Sequence, residues 1–143
     1  MTVPAITIDI DKALELLEAA VADRGVDYVY PSAAAFEGCT YFATTADVNA
    51  GLFPEEDAPA CIVGWALDSL GVTVTDIGEG NINTGAGTLF EHIRDDHPEF
   101  TVTDYARRLL NQAQSDQDNG LTYGRVLNNA RRVADNFKAR GHR

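Results

Sequence analysis

Arg125, Arg131 and Arg132, together with Gln114, Gln117 and Asn128, gather side chains suited to binding an anion or a polar partner. Guanidinium groups meet phosphates and carboxylates through paired hydrogen bonds. Amides beside arginine are also the types that read base edges. Gln114, Gln117 and Asp118 stand at i, i+3 and i+4, so on a helix they share a face. These residues form the candidate anion- or partner-binding set. The same amides serve equally as ordinary interhelical hydrogen-bonding groups, and no helix-turn-helix pattern surrounds them.

Other groupings carry less. His92, Asp95, Asp96 and His97 are the one cluster of metal-ligand types, with His92 and either Asp95 or Asp96 able to face one way on a helix. They lack a recognisable zinc spacing, so they are weak metal candidates and no metal or other cofactor is expected. The glycine-rich stretch 78–87 invites comparison with a phosphate cradle. No Gly-Lys-Ser/Thr closes it, and Glu79 and Glu91 lie nearby, so a plain connector fits better. Cys39 and Cys61 sit in no catalytic motif, and two cysteines make no disulfide framework. No catalytic residue is assigned.

The hairpin residues need helices to position them. Residues 123–137 place Tyr123, Val126, Leu127, Ala130, Val133, Ala134 and Phe137 on one stripe. Thr101 to Asp104 gives a capping signal for an earlier helix carrying Tyr105, Ala106, Leu109, Leu110 and Ala113, which Asn119-Gly120 stops. So short a connection implies an antiparallel helical hairpin. Spare apolar surface at Tyr105 and Phe137 could support a homodimer.

Three further helices are expected. Residues 10–24 carry an apolar face, with Asp9 as N-cap and Gly25 as stop. Residues 61–70 are apolar nearly all round, which marks a buried helix ended by Gly71. A capping-box spacing at Thr88 and Glu91 opens a short helix to about Asp96. Residues 5–8 read as a short strand, and residues 26–30 and 39–43 as an antiparallel ribbon. The expected fold is therefore mainly α, about five helices with a minor N-terminal β element, in one domain over residues 1–143.

Length and charge bound the function. A chain of 143 residues suits one core. Its net charge of -11 argues against generic attraction to phosphate backbones. That charge is unevenly spread. Residues 1–100 hold 18 acids against 3 bases, a net of -15, and residues 101–143 hold 4 acids against 8 bases, a net of +4. A basic hairpin therefore follows an acidic body, and it can either dock on that body or face an anionic partner. No signal peptide or membrane-spanning run is apparent, so a cytoplasmic protein is expected.

Residues 61–72, Cys-Ile-Val-Gly-Trp-Ala-Leu-Asp-Ser-Leu-Gly-Val, resemble a segment of small proteins of actinobacteria and their phages. Ala113-Gln114, Gln117-Asp118, Gly120 and Tyr123-Gly124 resemble the helical hairpin of the same group, where an aromatic followed by glycine opens the last helix. The two spans cover 24 of the 143 residues. The resemblance implies a shared fold and origin and brings no activity. Nine arginines among eleven cations fit that origin without specifying it.

The leading expectation is a non-catalytic binding protein, such as a phage accessory factor acting on a host protein. A nucleotide- or nucleic-acid-binding protein using the basic hairpin is the alternative. A small metal-dependent enzyme using His92 with Asp95 or Asp96 is the third.

Overall fold

In the computed structural model of the chain, the residues described are 6–30, 48–49, 51, 61–72, 89–91, 93 and 99–143. The fold is mainly helical. Its described elements are strand β1 (Ile6–Ile8), helix α1 (Ile10–Arg24), helix α2 (Ile62–Ser69), strand β2 (Phe100–Val102), helix α3 (Asp104–Asp118) and helix α4 (Tyr123–Ala139). Residues 89–91 and 93 are also helical.

Two strand-to-helix units share one construction. β1 pairs in parallel with β2, in the register Ile6 to Phe100, Thr7 to Thr101 and Ile8 to Val102. A single residue then separates each strand from its helix. Asp9 accepts the Lys12 N–H at 2.8 Å to cap α1, and Thr103 accepts the Ala106 N–H at 3.3 Å to cap α3. Thr103 also donates its own N–H to the Ile8 carbonyl at 2.9 Å, so the ladder runs into the cap.

The minor sheet is thus parallel and joins residues far apart in sequence. It replaces the expected antiparallel ribbon of residues 26–30 and 39–43. Residues 26–30 hold a turn and irregular backbone, and the second ribbon segment lies outside the described residues. The correction has a physical reason. The Val26 and Tyr28 carbonyls accept the Gly124 and Tyr123 N–H groups, each at 2.8 Å, so they serve a helix start.

The buried core collects Ile10, Ala13, Leu17, Ala20 and Val21 from α1, Leu109, Leu110 and Ala113 from α3, and Val126, Ala130 and Ala134 from α4. Helix α2 lies among them, with Ile62, Val63, Gly64, Ala66 and Leu67 buried. Trp65 is only partly buried, and its indole N–H reaches Asp23 Oδ2 at 2.8 Å. Helices α2, α3 and α4 end alike. The backbone N–H groups of Val72, Leu121 and His142 bond to Leu67, Asp116 and Phe137 respectively, five residues back. In each case a glycine of positive φ precedes the donor, at Gly71, Gly120 and Gly141.

Candidate functional site

The hairpin of α3 and α4 is anchored at the start of α4 and tied at its far end. Thr122 caps α4 by accepting the Arg125 N–H at 3.3 Å. Past that cap, Gly124 lies so close to the preceding turn that an added Cβ would stand 3.0 Å from the Val26 carbonyl oxygen and 3.1 Å from its Cβ. The Tyr28 and Tyr123 rings meet edge to face at 4.8 Å beside this contact. Across the hairpin, Asn129 Nδ2 donates to Asp116 Oδ2 at 3.4 Å. At the far end Thr103 Oγ1 donates to the backbone oxygen of Arg143 at 2.7 Å. The two helices therefore run antiparallel, as their short connection required.

Tyr105 and Phe137, the surface suggested for a homodimer, pack on each other. Their rings meet edge to face at 4.8 Å, and His142 stacks on Tyr105 at 3.7 Å.

The candidate amides separate by depth. Gln117 is 1% exposed. Its Oε1 accepts the Ile62 N–H at 2.7 Å and the Tyr123 hydroxyl at 2.8 Å, and its Nε2 donates to Asp118 Oδ1 at 3.0 Å. It therefore supplies an acceptor to the start of α2, with both lone pairs of Oε1 spent inside the chain, and its burial keeps it from an outside partner. Of the candidate binding set it is the most deeply buried. Gln114 is also buried, and its Oε1 has no hydrogen-bond partner among the described residues. Only Asn128 of the chosen amides is exposed. Burial also raises the Tyr123 phenol well above its ordinary range and raises the Asp118 carboxyl despite the Gln117 hydrogen bond.

The cations divide by direction. Lys138 Nζ lies 2.9 Å from Asp11, and Arg131 lies 3.8 Å from Glu18. Both carboxylates belong to α1, and the two pairs repeat after seven residues on each helix, which run antiparallel. Part of the basic hairpin thus docks on the acidic body. The Asp11 hydrogen bond and charge also hold the Lys138 ammonium above its usual range. Lys138, His142 and Arg143 line one cleft of about 220 Å³ with Asp9, Ile10 and Asp11.

Arg125 and Arg132 point the other way. Both are exposed, as are Asn128, Asn136 and Arg140. Among the described residues Arg125 and Arg132 form no ion pair; the Arg132 guanidinium bonds only Asn129 Oδ1, at 3.4 Å. At 100° per residue, Arg125, Asn128, Arg132 and Asn136 fall on the side of α4 opposite its buried stripe. Asn136 is not singled out by the sequence reading, although steps of four from Asn128 through Arg132 lead to it.

His92, Asp95, Asp96 and His97, the glycine-rich stretch and Cys39 lie outside the described residues. Among the described residues no three His, Cys, Asp or Glu side chains gather to hold a metal ion. Cys61 is fully buried, and its Sγ accepts the Gly64 N–H at 3.4 Å, which gives it a capping role. No helix among the described residues is long and apolar enough to cross a membrane. Comparison with known proteins finds no matching family model, curated protein or solved structure.

Proposed function

We propose that this is a non-catalytic binding protein whose outward α4 face engages an anionic surface on a partner protein. One observation carries the reading. Arg131 and Lys138 are paired with carboxylates of the same chain, whereas Arg125 and Arg132 stand exposed with no carboxylate partner among the described residues. Exposed arginine forks with unspent donors suit carboxylate partners. The resemblance of residues 61–72 and 113–124 to actinobacterial and phage proteins supports a partner in such a host, as for a phage accessory factor.

Asn128, Asn129 and Asn136 beside these arginines support nucleic acid as a second reading. The net charge of -11 weighs against it, because a polyanion is repelled before it reaches the hairpin.

Photocrosslinking tests the reading. A crosslinking amino acid at Asn128 is expected to yield a discrete protein adduct in actinobacterial cells. That adduct should disappear when Arg125 and Arg132 are both replaced by Glu. Crosslinks that are insensitive to these replacements, or that are lost to nuclease, would overturn it.

A further inference from the structure

α4 already binds one acidic helix. On one flank its cations Arg131 and Lys138 meet Glu18 and Asp11 of α1, which are likewise seven residues apart. On the outward face, about a third of a turn further round, Arg125 and Arg132 repeat that spacing with no carboxylate paired to them among the described residues. Seven residues of helix advance about 10 Å, close to two full turns, so both arginines project in one direction. Asn128 lies between them and can hydrogen-bond a polar side chain or backbone in the gap.

Resting on the proposed function, we infer that the outward face of α4 is a docking site for an acidic helical segment of another protein, with carboxylates seven residues apart. The argument is charge complementarity, with the α1 flank showing what kind of helix the spacing accepts. Arg125, Asn128, Arg132 and Asn136 form a polar strip, so the complex is held by charge and hydrogen bonds and weakens with salt.

A second copy of this chain is a poorer occupant. The two acids of α1 at this spacing are already engaged, and two bodies of net charge -11 repel each other. The cleft beside Lys138 is no equivalent site, because Lys138 is paired there with Asp11.

The test uses the full chain and fluorescent alanine-rich peptides of about 18 residues, stapled as helices. One peptide carries glutamates seven residues apart and a second carries them five apart, which moves them off a common face. Anisotropy is read at about 50 mM and about 200 mM salt. The seven-spaced peptide is expected to bind about tenfold tighter than the five-spaced one. Arg125→Glu with Arg132→Glu should abolish that binding and confer binding of a seven-spaced lysine peptide. Arg125→Gln with Arg132→Gln should lose both, and circular dichroism should show both variants folded.

Equal binding of the two glutamate peptides would overturn the inference. So would binding that survives charge reversal, or tighter binding of a single-stranded oligonucleotide of equal charge. If neither peptide binds while the Asn128 crosslink still captures a protein, the inference falls and the proposed function stands.

Discussion

The side-chain oxygen of Gln117 sits 2.7 Å from the backbone nitrogen of Ile62, across 55 residues of sequence, and also accepts the Tyr123 hydroxyl. A single buried amide therefore joins α3, the start of α2 and the start of α4. Gln117→Met keeps the length of the side chain but leaves an N–H and a hydroxyl buried without an acceptor. The expected loss is about 2–4 kcal/mol in urea unfolding.

Gln114, one turn earlier on α3, predicts the opposite sign. Its Oε1 is buried with no partner among the described residues, so Gln114→Met removes a desolvated polar atom at nearly constant volume. Stability is expected to rise by about 1 kcal/mol in the same measurement.

Gly124→Ala should fail as a helix-stabilising substitution. In an open helix, Gly→Ala gains up to about 1 kcal/mol. Here the new methyl would stand 3.0 Å from the Val26 carbonyl oxygen, and the opposing atoms are backbone and Cβ. A net loss of about 1–3 kcal/mol is expected. Hydrogen exchange should accelerate at the Tyr123 and Gly124 amides, whose acceptors are displaced.

Burial raises the Asp118 carboxyl, so folding favours its protonated form. The stabilisation from holding that proton is fully present below the ordinary Asp range and is lost as pH rises through the folded value. At neutral pH the ionised carboxylate is thus mildly unfavourable, by an amount tempered by its exposure to solvent. Asp118→Asn is expected to raise stability slightly at pH 7, with the gain vanishing near pH 3. Unfolding across that range would show the convergence.

Arg125→Ala with Arg132→Ala should leave stability within about 0.5 kcal/mol of the parent, because both side chains are exposed and form no ion pair among the described residues. A larger loss would give them a structural role and remove the basis for a binding face.

The sequence disclosed the helices more fully than the sheet. α1, α2, α3 and α4 combine long apolar periodicity with caps and stops such as Asp9, Thr103, Thr122, Gly71 and Gly120, all of them local signals. β2 is three residues long and is defined by pairing with β1, nearly a hundred residues earlier. No local pattern could announce it, and residues 26–30 show the converse. Their β-rich composition was real, but the demand for acceptors at the start of α4 decided their backbone.

The outward arginines were visible as residue types, and the neutralisation of Arg131 was not. It depends on the register between α1 and α4, which only packing fixes. Gln117 was legible as a helix-face amide, but not as buried, because its two donors come from elsewhere in the chain.

The start of α4 has a further consequence. Its first three N–H groups are spent on Tyr28, Val26 and Thr122, so the positive end of this helix dipole meets oxygens of its own chain. An incoming phosphate or carboxylate finds no amide nest there. A ligand of this hairpin must be gripped side-on by side chains along the helix, and its hold should grow with the number of heptads it spans.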